Sequence, residues 1–244
     1  MIVDKLYVGE HTPWSPLSKG IFRMSGAEQC TRRAGYQFLR TPEDEEFVPG
    51  IEDFKAVVLA EGNLHETEVV RRIQQASFKI WNFGQGQAWT RYRFEKQFWR
   101  GYPDLFVEID EKAYGVEIKS TGDELFNDYA SKAREVLPGR FILDDQTVLH
   151  DSAFPYMGQI QMYLHSEAIV EEGIDQWLLV LKNRDNGAML ECLIEKDSVY
   201  LESIITRWKY FWVYVTAGRL PKQNFEETSK QCQLCPFKER CWSN

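Results

Sequence analysis

The residues best equipped for chemistry lie in one short stretch, GYPDLFVEIDEKAYGVEIKS, positions 101–120. Leu105, Val107, Ile109, Tyr114, Val116 and Ile118 alternate there with polar residues, the period of a strand. A turn at Glu111-Lys112 pairs Asp110 with Ala113 and sets Ile109 against Tyr114, Val107 against Val116 and Leu105 against Ile118. All six apolar side chains then share one face, which must be the core face. The same register puts Asp104 opposite Lys119 on the other face, with Glu117 diagonal to Asp104. A one-residue slip would destroy both patterns. Carboxylates converging within a sheet are costly unless a cation neutralises them, and their hard oxygens suit Mg²⁺ or Mn²⁺. Such an ion would polarise a phosphoryl oxygen and acidify a bound water, and Lys119 would orient that water or meet charge developing on the phosphate. An ordinary hairpin with a surface ion pair has the same spacing, so the stretch alone leaves both readings open.

Three further groups bear on the choice. His65 lies on a helical stripe with Phe54, Val58, Val69, Ile73 and Ala76, which turns it inward, either as a core histidine or as a third ligand beside Asp104. Gln159 and Tyr163, four apart, project from one helix face, where both can hydrogen-bond a phosphate or hold a lysine. Cys232, Cys235 and Cys241 form Cys-x2-Cys-x5-Cys, three thiols spaced to wrap one metal centre. Cys30, beside Arg32 and Arg33, is the better fourth ligand, since neighbouring cations favour thiolate, whereas Cys192 reads as a packed thiol. Spacing does not separate zinc from an iron–sulfur cluster.

These residues need a frame. Helices are expected over Ser25–Arg40, with Cys30 inside it, Phe54–Ala76, Phe154–Val170, with Pro155 in its first turn, and Ser198–Ala217. Strands are expected over Arg91–Trp99, Tyr102–Asp110, Tyr114–Ser120, Trp177–Leu181 and Ala188–Ile194, the last two around Asn186-Gly187. Thr41–Gly50 reads as a loop, Trp81–Trp89 as a turn, and Gly122–Asp151 as a loop or small helical insertion. This order predicts an α/β fold, a mixed central sheet flanked by helices.

With 244 residues, 43% hydrophobic and 14% aromatic, the chain can bury a sizeable core, which argues against disorder. No apolar run approaches a membrane span, and the opening MIVDKLYVGEHTPW lacks a secretory pattern, so a soluble, cytoplasmic protein is expected. Five cysteines, an odd number, speak against a disulfide framework. The net charge of −8 weighs mildly against nucleic acid. Basic groups at Arg32, Arg33 and Arg40, Arg71 and Arg72, and Arg91, Arg93, Lys96 and Arg100 nonetheless permit a basic channel.

Taken together, these motifs resemble the RecB-like nucleases of the PD-(D/E)xK superfamily, in the branch with an iron–sulfur cluster that includes the CRISPR-associated adaptation nuclease and phage exonucleases. The likeness runs in the family's order from Cys30, through Gly62-x-x-His65-Glu66, Gly101-x-x-Asp104, Glu117-x-Lys119 and Gln159-x-x-x-Tyr163, to Cys232, Cys235 and Cys241. The residue after the first cysteine is often proline in that family; here it is Thr31. The resemblance implies one restriction-endonuclease-like nuclease domain over 1–244 with a C-terminal iron–sulfur cap. It implies Mn²⁺ or Mg²⁺ on His65, Asp104, Glu117 and the Ile118 carbonyl, with Lys119 assisting water and Gln159 and Tyr163 positioning Lys119 or the phosphate. A structural 4Fe-4S cluster would be held by Cys30, Cys232, Cys235 and Cys241, stapling the two ends. The expected activity is that of a DNA exonuclease on single strands or ends. The rivals are a trimming subunit dependent on CRISPR integration proteins or a recombination partner, and a non-catalytic DNA-binding module.

Overall fold

The computed structural model describes residues 21–39, 49–81, 90–94, 97–150, 156–233 and 235–243. Arg40 and Lys96, most of the Thr41–Gly50 loop, Gly84 and Gly86 of the expected turn, and Phe154 and Pro155 lie outside them. In chain order the elements are β1 (Ile21–Arg23), α1 (Thr31–Leu39), α2 (Pro49–Gln75), β2 (Lys79–Trp81), β3 (Thr90–Phe94), β4 (Gln97–Gly101), β5 (Leu105–Ile109) and β6 (Lys112–Thr121). There follow α3 (Asp123–Ala130), β7 (Arg134–Leu137), β8 (Arg140–Leu143), α4 (Tyr156–Leu164), α5 (Glu167–Glu171), β9 (Gln176–Asn183), β10 (Met189–Glu195), α6 (Ser198–Thr216), α7 (Lys230–Gln233) and α8 (Lys238–Trp242).

The main sheet is mixed and seven-stranded, in the order β2-β5-β6-β9-β10-β8-β7, and β1-β4-β3 form a smaller sheet. β6 and β9 run parallel at its centre. Parallel neighbours need a long crossover, which α3, the β7–β8 hairpin, α4 and α5 supply. A central parallel pair is covered on both faces, and β9 shows it: Trp177, Leu178, Leu179 and Leu181 are all buried. On one face α2 lays Val69 and Val70 over Leu105, Val107, Val116, Ile118 and Leu178. On the other, α4 and α6 build the larger core around Trp99, Trp177, Trp208 and Phe211, where burying each such side chain stabilises by about 1.5–3 kcal/mol.

The expected mixed sheet flanked by helices is the fold observed. Several boundaries differ from expectation, for local reasons. The 101–120 hairpin turns at Asp110-Glu111, both with positive φ (50° and 64°), as a two-residue type I′ connection requires. Ile109 therefore pairs with Lys112, Val107 with Tyr114 and Leu105 with Val116. This is a shift of two residues, so every side chain keeps its predicted face. The face carrying the six apolar residues is one of two buried faces rather than the sole core face. Arg91–Trp99 is split into β3 and β4, an antiparallel pair. Cys30 precedes α1 instead of lying within a helix. The expected helix to Val170 is interrupted after Leu164, where Ser166 Oγ donates to the Tyr163 carbonyl at 2.7 Å, a side-chain bond that competes with helix continuation. Gly122–Asp151 contains α3 and the β7–β8 hairpin, and β8 extends the sheet by pairing with β10. No helix among the described residues is long and apolar enough to cross a membrane.

Candidate functional site

β6 is longer than its partner. Pairing with β5 ends at Leu105–Val116, while β6 continues alongside β9 to Thr121. Among the described residues no strand pairs with Glu117–Thr121 on the β5 side, and Asp104 stands at the start of that stretch. The Asp104 carboxylate accepts the Ile118 N–H at 2.7 Å. Since N–H and C=O of one strand residue point to the same side, the Ile118 carbonyl is directed to the β5 side as well.

Glu117 points from β6 toward α4 and is fully buried. Its Oε1 accepts from Lys119 Nζ and from Gln159 Nε2, the latter at 2.7 Å. Its Oε2, also buried, has no hydrogen-bond partner among the described residues. Gln159 Nε2 is shared with the Tyr163 hydroxyl at 2.7 Å, and that hydroxyl donates to the Tyr102 carbonyl at 3.1 Å. The ring reaches there because Gly101 has no side chain: a Cβ at Gly101 would lie 2.4 Å from Tyr163 Cε1. Lys119 Nζ stands 5.9 Å over the Tyr156 ring. Asp104, Glu117, Lys119, Gln159 and Tyr163 are thus one connected group.

Its electrostatics are lopsided. Burial, then the neighbouring Asp104 charge, pushes the Glu117 carboxyl up to about 8, against the pull of Lys119. Asp104 is also raised, by burial, although Lys119 and the Ile118 N–H oppose this. Burial disfavours charge on Lys119, but Glu117 and Asp104 outweigh it and hold its pKa above the ordinary lysine value. A third carboxylate feels the same group: Glu66 on α2 is pushed up to about 6, by burial and then by Asp104. Helical spacing turned the eye to His65 and not to Glu66, because a stripe read without the sheet's position cannot say which neighbour meets a strand end. His65 itself is half-buried, with Nδ1 3.1 Å from Lys182 Nζ. Its ring lines a cavity of about 320 Å³ with Glu61, Leu64, Arg184 and Asp185. Among the described residues no three His, Cys, Asp or Glu side chains stand close enough to form a ready-made metal cage. The donor chemistry still fits a cation: a buried carboxyl oxygen of Glu117 without a partner among the described residues, beside Asp104, with both carboxyls raised.

The cysteines occupy a separate corner. Thr31, after Cys30, donates to Asn224 Oδ1 at 2.6 Å. Arg32 donates to the Pro221 carbonyl at 2.8 Å, and Tyr36 stacks on Phe237 at 4.9 Å. Helix α1 is thereby clamped to the C-terminal segment, and Cys30 and Cys232 come close enough to raise the Cys235 thiol, whose main shift comes from burial. Cys241 is buried beside them in sequence, and all five cysteines are free. Cys192 is a core thiol pushed up to about 12 by burial.

Neither a protein-family model nor a curated protein matches the chain. Among solved structures, that of SSO0001 aligns over 99% of this chain and 96% of its own, with a TM-score of 0.52 at 16% identity. The alkaline exonuclease LHK-Exo, in complex with dAMP, aligns over 84% of this chain and 92% of its own, with a TM-score of 0.43 at 14% identity. LHK-Exo from Laribacter hongkongensis in a further structure gives 0.41 at 14%, over 82% of this chain and 90% of its own. The likeness to SSO0001 is one of fold.

Proposed function

We propose that this chain is a metal-dependent DNA nuclease that hydrolyses phosphodiester bonds, acting on single strands or DNA ends. One observation carries the reading: Glu117 is fully buried with Oε2 unpartnered among the described residues, and it shares its site with Asp104 and Lys119. A carboxylate so placed costs free energy on its own, and a divalent cation offsets that cost. Asp104, Glu117 and the Ile118 carbonyl would hold Mn²⁺ or Mg²⁺, with His65 as the candidate from the neighbouring helix. When bound, the ion supplies Lewis-acid polarisation of a phosphoryl oxygen and acidifies water.

The chain's own groups do the rest. Lys119 Nζ donates to Glu117 Oε1, and from there it would meet a phosphate or a water as a donor. Gln159 and Tyr163 hold Glu117 from behind, fixing where its free oxygen lies. Preorganised charge of this kind lowers the barrier because it needs no reorientation as the reaction proceeds.

At the other corner, Cys30, Cys232, Cys235 and Cys241 are proposed to hold a 4Fe-4S cluster as thiolates, tying the two ends of the chain. Iron, sulfide and zinc analysis of anaerobically purified protein distinguishes this from a zinc site. For the nuclease reading, cleavage of end-labelled single-stranded and duplex DNA with Mn²⁺ is compared between wild type and Lys119→Ala. Wild-type cleavage lost in the folded variant supports it, and equal cleavage by both overturns it. Cleavage that appears only with added integration or recombination proteins would favour a trimming subunit.

A further inference from the structure

The Gln159 side chain can hold Glu117 only if α4 presents it at the right height. α4 spans Tyr156–Leu164, with Gln159 one residue beyond Gly158. Its Gly158 N–H is taken by a residue 130 positions away: Glu28 Oε2 accepts it at 2.9 Å. The other oxygen, Oε1, accepts the Tyr200 hydroxyl of α6. The approach depends on glycine, since a Cβ at position 158 would stand 2.5 Å from Glu28 Cγ. The very next residue is Gln159, whose Nε2 lies 2.7 Å from Glu117 Oε1.

Glu28 is itself firmly seated. The Ala27 carbonyl before it accepts from Trp208 Nε1 at 2.7 Å and from an Arg207 guanidinium N–H at 2.8 Å. Thr31 and Arg32, just beyond it, bond to Asn224 and Pro221. The short segment between β1 and α1 is thus anchored to α6 and to the C-terminal segment, and from there Glu28 reaches across to Gly158 of α4.

We infer that Glu28 is a positioning residue for the carboxylate site: by accepting the Gly158 N–H it ties this turn of α4 in place and so sets Gln159 against Glu117. This rests on the nuclease reading for its functional consequence, but the Glu28–Gly158 contact is measurable without it. A simple core role would weaken the whole protein, whereas a positioning role has a local and directional signature.

The test uses the full chain with Glu28→Ala, Glu28→Gln, Gln159→Ala and the double variant Glu28→Ala/Gln159→Ala. Glutamine keeps an acceptor for Gly158 N–H and a polar group for Tyr200, so it should rescue. Hydrogen exchange should quicken about tenfold or more in peptides covering 156–164 of Glu28→Ala, with α2 and β9 unchanged, and should return to wild-type rates in Glu28→Gln. With Mn²⁺ and end-labelled DNA, kcat should fall about tenfold in Glu28→Ala at nearly constant KM. The double variant should be no slower than Gln159→Ala, because contacts acting in series are not additive. Unchanged exchange in α4, or losses that multiply in the double variant, overturns the inference. Should Glu28→Ala fail to fold, Glu28→Gln and Gly158→Ala replace it: wild-type exchange in Gly158→Ala would overturn the contact. Absence of cleavage in wild type defeats the nuclease reading, while the exchange data still decide whether Glu28 positions α4.

Discussion

Two lysine–glutamate pairs sit on neighbouring central strands, on opposite faces of the sheet, and they are opposites in charge balance. On the α2 face, Lys182 of β9, 4% exposed, is bound by Glu68, which also receives Arg72. The hydrogen bond from Lys182, then that from Arg72, holds the Glu68 carboxyl down at about 2. This is one carboxylate with two cations. On the α4 face, Lys119 donates to Glu117 beside Asp104, one cation with two carboxyls, and Glu117 is pushed up to about 8. The same residue types give a saturated structural pair in one place and a cation-deficient site in the other. What separates them is stoichiometry and a Glu117 Oε2 without a partner among the described residues, not the presence of an ion pair.

The largest expected difference is in turnover. Lys119→Met should reduce cleavage by about 10²–10³-fold, the loss typical when one preorganised charge-stabilising donor is removed. Lys182→Met should leave kcat within a few-fold. Comparable losses in both, measured as single-turnover rates with Mn²⁺, would erase the distinction.

Next comes metal-linked stability. Saturating Mn²⁺ should stabilise wild type by about 2.7 kcal/mol at a hundred times its Kd, which is roughly 5–10 °C in melting temperature for a chain of this size. The shift should vanish in Glu117→Gln and persist in Glu68→Gln. Calorimetric melts in EDTA and in Mn²⁺ give the answer, and a shift unaffected by Glu117→Gln would move the metal elsewhere.

A smaller effect is expected from the saturated pair itself. Lys182→Met leaves Glu68 with Arg72 alone, and Glu68 is one-third exposed, so solvent screens much of the loss. About 1–2 kcal/mol of destabilisation in urea unfolding is expected. No measurable change would mean that the buried lysine is merely tolerated.

The subtlest contrast is in pH, where the two pairs have opposite signs. Glu117 is raised from 4.5 to about 8, so folding favours its protonated form. Its contribution is complete below about pH 4.5 and is lost as pH rises toward 8. Glu68 is lowered from 4.5 to about 2. Its contribution is present above pH 4.5 and is lost as pH falls toward 2. In metal-free buffer, Glu117→Gln should flatten the alkaline limb of the melting profile, and Glu68→Gln the acid limb. A profile in which each substitution alters the other's limb would contradict both assignments.

Much of this was legible beforehand, in a specific way. Alternation in 101–120 assigned every side chain of that hairpin to the face it occupies, because a strand's two-residue period is local. The turn was misplaced because Asp110-Glu111 adopts positive φ without the Asn-Gly or Asp-Gly pair that advertises such a turn. That shift brought Asp104 level with the start of the β6 stretch beyond β5, where it caps Ile118. β3 and β4 read as one strand because nothing between Phe94 and Gln97 is a strong turn former. Within Gly122–Asp151 the small helical insertion is borne out by α3, while the β7–β8 hairpin was missed because such short strands owe their stability to docking, here of β8 on β10.

The sequence by itself determined which residues are chemically able, their sidedness on strands, and that α and β segments must layer around a sheet. Those are consequences of side-chain chemistry and backbone period, which need only neighbours along the chain. Tertiary structure alone decided that Glu66, next to His65, is the residue of α2 that feels Asp104. It decided that Lys182 is neutralised while Glu117 is not, and that Glu28 reaches Gly158. Each depends on how separately folded segments pack, and at a few ångströms in a low-dielectric interior the packing distance decides whether a charge is balanced or left seeking a partner.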